Sequence, residues 1–142
     1  MKKLLLLFPL ICIQMIYGQN LNFTNLSSMT LRRGAIACST DSNHIYVSNG
    51  FSSTGTYTKE IEKYDLATDT WSVFTNSLVK KRYASSVIVG NNLYLFNGQD
   101  SSGNANDKME IVNLTNGNIT LSTPNPLPRY SGGAAEIGRA HV

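Results

Sequence analysis

Apolar residues in this chain come in short bursts separated by turn-forming residues, and after the first twenty positions no stretch carries the i, i+3, i+4 spacing of an amphipathic helix. The stretch RYASSVIVGNNLYLFNG, residues 82–98, has two aliphatic runs around Gly90-Asn91-Asn92 and ends on Asn97-Gly98. RGAIACSTDSNHIYVSNG, residues 33–50, has the same plan: an Arg, a small and aliphatic run, a polar turn, a Tyr and an Asn-Gly. Asn-Gly tolerates positive φ, so each pair can end a strand and redirect the chain.

The correspondence continues downstream. Tyr64-Asp65 stands as far beyond Gly50 as Val112-Asn113 does beyond Gly98, and Trp71 matches Ile119. Each unit reads as four strands, over 35–39, 45–48, 60–65 and 71–75 in the first and over 84–89, 93–97, 109–114 and 118–122 in the second. Because VIVGNNLYLF is apolar without strict alternation, its strands are expected to be covered on both faces. Aligning the arginines gives steps of 49 residues from Arg33 to Arg82 and 47 from Arg82 to Arg129, the difference falling in the turns and linkers. Four strands in a repeat of this length point to propeller blades, each burying its faces against its neighbours.

The motifs HIYVSNG, EKYDLATDTW and NLYLFNG, each unit opened by an Arg, resemble the kelch family. The resemblance runs from about Arg33 to Gly133. It is specific in the first unit and weaker in the second, where Val112-Asn113 replaces Tyr-Asp and Ile119 replaces Trp. It implies an all-β fold: a kelch-type β-propeller fragment of about two four-stranded antiparallel blades plus the start of a third. The expected organisation is a signal peptide over 1–18, a leader or ring-closing segment over 19–31, blade 1 over 32–79, blade 2 over 80–127 and the start of blade 3 over 128–142. The closing IGRAHV resembles one reading frame of a sequencing adapter, so the sequence reads as a truncated fragment with a non-native tail at Ile137–Val142; a natural short chain assembling several copies is the alternative. Either way, further blades or further copies are needed to close a ring.

The N-terminus changes the picture of location. Lys2 and Lys3, the apolar run from Leu4 to Tyr17 and the small Gly18 form a secretory signal pattern, too short for a comfortable membrane span. Cleavage after Gly18 would lower the formal charge from +3 to +1 and leave Cys38 as the one cysteine. The product is expected to be secreted or periplasmic, with no membrane span, no electrostatic footprint for nucleic acid, no disulfide framework and no zinc cluster.

Candidate chemistry is sparse. Arg33, Arg82 and Arg129 each precede a first strand and are read as lying on one propeller face. They could form a ring of guanidinium forks for a carboxylate, as the resemblance to kelch propellers that take acidic peptides implies, or serve the blades by bonding backbone carbonyls. Tyr83 and Tyr130 follow those arginines and are the better aromatic candidates for contact on that face. Tyr46, Tyr94, Tyr64 and Trp71 read as filler between blades. His44 reads as a turn residue without a ligand partner, and the Asp and Asn of residues 40–43 and 97–108 as polar loops lacking calcium-loop spacing. The loops FSSTGTY (51–57) and QDSSGNAN (99–106) occupy matching places where ligand contacts would fall. No GxSxG and no Ser–His–Asp set is present, and no cofactor is implied. The reading is a secreted module that binds a protein or glycan. The alternative is a sugar-acting kelch enzyme, such as an N-acetylneuraminate mutarotase or a galactose-oxidase-like protein, for which no catalytic set is visible.

Overall fold

The computed structural model describes residues 23–138, so the expected signal peptide and the last four residues lie outside the described part. The described chain is all β, with no helix. It contains β1 (Arg33–Gly34), β2 (Ala37–Thr40), β3 (His44–Ser48), β4 (Phe51–Ser52), β5 (Glu60–Asp65), β6 (Thr70–Asn76), β7 (Lys81–Arg82), β8 (Ser85–Val89), β9 (Asn92–Phe96), β10 (Gln99–Asp100), β11 (Glu110–Asn113) and β12 (Ile119–Leu121). The order β2-β3-β5-β6 makes one four-stranded antiparallel sheet and β8-β9-β11-β12 the other; β1 pairs with β4 and β7 with β10. The eight expected strands are all present. The four two-residue strands are too short to leave a periodic signal.

Register reveals a stricter repeat than the arginines suggest. Ala37 pairs with Ser48 and Ser85 with Phe96, while Arg33 pairs with Ser52 and Lys81 with Asp100. Every residue of these pairs advances by 48 positions from one sheet to the next. Thr40 pairs with Ile45 and Ile88 with Leu93, so the chain between these pairs has equal length in the two blades and the expected difference in turn length is corrected. Lys81, not Arg82, is the counterpart of Arg33, and Arg82 stands where blade 1 has Gly34.

The two sheets pack face to face. Ala37, Tyr46 and Ile61 of blade 1 meet Leu93, Leu95 and Val112 of blade 2 in one core, all of them buried. Each fully buried aliphatic side chain here contributes about 1.5–3 kcal/mol. Ser39 and Ser86 join the two inner strands through a buried hydroxyl pair at 2.6 Å. The register of β5 with β6 shifts between Ile61 and Glu62, leaving Phe74 of β6 as an extra residue. The bulge sets Phe74 edge-on against Tyr46 at 5.7 Å.

Coverage differs between faces. Leu93 and Leu95 are sealed, but Tyr94 and Phe96 on the other face of β9 are half-buried and Val89 is exposed. The expectation of cover on both faces thus holds at the seam between the blades and not beyond it. Tyr46 and Tyr94 occupy equivalent register positions, and Tyr46 is buried by the sheet that follows it.

The Asn-Gly pairs dock one blade to the next. Gly50 N donates to Lys81 O at 2.8 Å and Gly98 N to Arg129 O at 2.9 Å. Gly50 has φ +114°, and a Cβ there would lie 2.7 Å from Gly34 O, so glycine is required both for the backbone angle and for the close approach.

Candidate functional site

The residues that open each blade divide into an interior set and a surface set. Arg33 belongs to the interior. Its guanidinium is fully buried and donates to Glu60 O at 2.8 Å, Val47 O at 3.2 Å and Glu62 Oε2 at 2.9 Å. Burial lowers its pKa from the ordinary value, against the opposing pull of Glu62 and Glu60. Arg33 therefore binds carbonyls of its own blade rather than presenting a fork to solvent. Lys81 repeats this arrangement with a different cation: its Nζ lies 2.9 Å from Glu110 Oε2, with both side chains fully buried. The same carboxylate accepts from Ser77 Oγ at 2.7 Å and from the backbone N–H of Leu78. Sequence reading passed over Lys81, Glu62 and Glu110, although the two glutamates stand 48 residues apart.

The surface set gathers where the two blades meet. Arg82 lies beside Gln99 in the β7–β10 pair, and its Nε donates to Gln99 Oε1 at 3.0 Å. Gln99 Nε2 in turn donates to Gly103 O at 3.0 Å, tying the loop 99–106 to the guanidinium. The guanidinium lies over three rings, 5.3 Å from Phe51, 5.3 Å from Tyr57 and 5.0 Å from Tyr83. Phe51 and Tyr57 come from blade 1 and pack edge-on at 5.2 Å, held by their antiparallel bridge. Tyr130 completes the group, 6.4 Å from Tyr83. Neither terminal nitrogen of Arg82 has a hydrogen-bond partner among the described residues. The result is a half-buried guanidinium, fixed by one hydrogen bond and three rings, with its outer edge free for an anion.

Of the five candidates from sequence, Arg82, Tyr83 and Tyr130 come together. Arg33 lies in the interior, and Arg129 is exposed nearby with its Nε on Leu127 O at 3.3 Å. The expectation that the three arginines are equivalent on one face is corrected, because the equivalent positions hold Arg33, Lys81 and Arg129. Phe51, Tyr57 and Gln99 were legible only as parts of two matching loops.

The remaining polar candidates serve turns. Asp41 Oδ1 accepts from the backbone N–H of Asn43 and His44, both at 2.7 Å, and Asp100 Oδ1 from Ser102 and Asn104. His44 is not without partners as the sequence implied: Asp41 lies at 3.3 Å and Asp65, across the β3–β5 pair, at 3.9 Å. No three His, Cys, Asp or Glu side chains converge as metal ligands among the described residues. No helix of the described chain is long and apolar enough to cross a membrane.

Two antiparallel four-stranded sheets, stacked face to face and repeating at a fixed step, define a propeller-type β-repeat protein. Residues 32–77 match the family model of the Kelch motif, a span that covers blade 1 from its opening Arg to the end of its outer strand. The chain thus carries a Kelch motif in blade 1, and blade 2 repeats the matched blade strand for strand. No curated protein matches it.

Proposed function

We propose that this kelch-repeat chain is a secreted, non-catalytic binding module that takes a carboxylate-bearing protein or glycan partner on the face around Arg82. The observation that carries this reading is the free outer edge of the Arg82 guanidinium, held over Phe51, Tyr57 and Tyr83. Arg offers a planar pair of donors that suits a carboxylate, and surrounding rings lower the local polarity in which that bond forms. The repeat itself supports the assignment. Arg82 stands at the place of Gly34, Tyr83 at that of Ala35, Gln99 at that of Phe51 and Ala105 at that of Tyr57. The cluster is thus built from positions where the blades differ, while the positions they share hold the fold.

Secretion rests on Lys2-Lys3, the apolar run and Gly18. The segment 19–31 is a leader or a ring-closing segment, and its described residues, 23–31, favour the second reading because they lie at the place of a preceding blade's outer strand. Phe23, Leu26 and Ser27 precede Trp71, Phe74 and Thr75 by one repeat of 48 residues. Ser27 N donates to Asp69 Oδ1 at 2.8 Å, and Thr75 Oγ1 donates to Gly117 O at 3.1 Å from the matching place.

The test uses the full-length secreted chain on peptide and glycan arrays that include carboxylate-bearing members. A carboxylate-dependent hit that Arg82→Ala weakens by about tenfold, roughly 1.4 kcal/mol, is expected. Unchanged binding by Arg82→Ala, or turnover of N-acetylneuraminate anomers by the wild-type chain, would overturn the reading.

A further inference from the structure

Three residues adopt the same left-handed backbone at intervals of one repeat: Ala35 at φ 55°, Tyr83 at φ 54° and Ser131 at φ 59°. The path of the chain imposes the angle. Tyr83 N donates to Ala35 O at 2.8 Å and Ser131 N to Tyr83 O at 3.1 Å, so these residues link each blade opening to the next. A Cβ is unfavourable in this region, and the cost is greatest for bulky side chains. Ala35 and Ser131 keep the side chain minimal. Tyr83 does not, although glycine would meet the backbone requirement better.

Burial in the core does not account for the ring. Tyr83 is 38% exposed, and its ring stands beside the Arg82 guanidinium at 5.0 Å and the Tyr130 ring at 6.4 Å, itself 49% exposed. A strained residue with an exposed, oriented side chain is the kind of outlier from which function can be inferred. We infer that Tyr83 is a specificity-determining residue: its ring is kept, against the preference of its backbone, as the wall beside a carboxylate held by Arg82. The inference rests on the function proposed above and adds to it a named contact and a conflict between stability and binding.

The experiment uses the full-length chain with two carboxylate probes, a hexaglutamate peptide and an oligogalacturonide, which separate a peptide source of the group from a sugar-acid source. Tyr83→Gly, Tyr83→Ala, Tyr83→Phe and Ala35→Gly are compared for denaturation midpoint and probe affinity, with Arg82→Ala alongside. Tyr83→Gly is expected to unfold at a higher midpoint than Tyr83→Ala, because the two differ at the strained Cβ. Both should weaken the bound probe by tenfold or more, while Tyr83→Phe retains it. Ala35→Gly should raise the midpoint and leave affinity unchanged. If Arg82→Ala abolishes binding and Tyr83→Gly binds as wild type does, the role of Tyr83 is refuted and the Arg82 reading stands. A lower midpoint for Tyr83→Gly than for Tyr83→Ala refutes the strain. If the wild type binds neither probe, or Arg82→Ala binds as tightly as wild type, the carboxylate reading fails and takes this inference with it.

Discussion

In blade 1 the buried carboxylate of Glu62 faces a guanidinium; in blade 2 the carboxylate of Glu110, one repeat later, faces an ammonium. The two struts occupy the same place and tie different things together. Arg33 distributes its donors over Glu62 and the carbonyls of Val47 and Glu60, so it clamps β3 and β5 within a single blade. Glu62 Oε1 is left buried without a hydrogen-bond partner. Lys81 is a point charge that meets Glu110 alone, and the carboxylate is completed by Ser77 and Leu78 from the linker between the blades. The guanidinium strut therefore stiffens a blade, whereas the ammonium strut locks one blade's exit to the next blade's third strand. A shared position in a repeat preserves the charge pair and leaves the division of hydrogen bonds free to change.

Breaking the second strut should have the largest effect. Glu110→Ala leaves the Lys81 ammonium buried without a counter-charge and frees two donors of the linker, at a cost of about 3–5 kcal/mol. Lys81→Met should cost less, because Ser77 and Leu78 still hold the carboxylate. Urea titration of the two variants checks the order, and equal losses would mean that the linker bonds contribute nothing.

Arg33→Lys sharpens the comparison by giving blade 1 the cation of blade 2. The ammonium cannot reach all the acceptors of the fork, and the loss of two carbonyl bonds predicts a destabilisation of about 2 kcal/mol. Amide hydrogen exchange should localise the loosening to β3 and β5.

The smallest effect concerns the outer rim, where the blades differ again: Asp69 of blade 1 stands at the place of Gly117. Asp69 accepts from Tyr64 Oη at 2.6 Å and from Ser27 N. These bonds, that from Tyr64 foremost, hold the Asp69 carboxyl below its ordinary value, and the same bond pushes the Tyr64 phenol up to about 12. A lowered carboxyl stabilises the fold above its unfolded pKa and loses that contribution as pH falls through the folded value. A raised phenol stabilises below its unfolded pKa, about 10, and loses the contribution as pH rises through the folded value. Asp69→Asn should lower the middle of a stability-against-pH profile, where both contributions are present, and flatten its two limbs, where they are already lost.

The blades were legible because their signals are local. Tyr46, Tyr94, the two Asn-Gly pairs and the turn residues mark strands and their ends within a few positions, and the structure sets them in equivalent register. The alignment failed by one residue at the blade openings, where identical letters were matched. Arg82 resembles Arg33 in chemistry, yet backbone pairing equates Arg33 with Lys81, and only the partner strand carries that information. Glu62 and Glu110 offered a better anchor, since their spacing equals the true period, but charged residues inside strands read as solvent-facing until their cations are located. The aromatic group around Arg82 was half visible. Tyr83 and Tyr130 are adjacent to arginines in sequence, whereas Phe51 and Tyr57 approach from the other blade through tertiary packing.

The uniform step gives each blade the character of an interchangeable cassette. Were the segment 32–79 copied in tandem within the gene, Gly50 of the first copy would find the carbonyl of Arg33 in the second, where it now finds that of Lys81. Glu62 of the second copy, whose Oε1 is now unpartnered, would meet the Ser77 hydroxyl of the first, as Glu110 does today. Lengthening by whole units would thus repair a vacancy rather than create one, and growth by duplication is written into the junction itself.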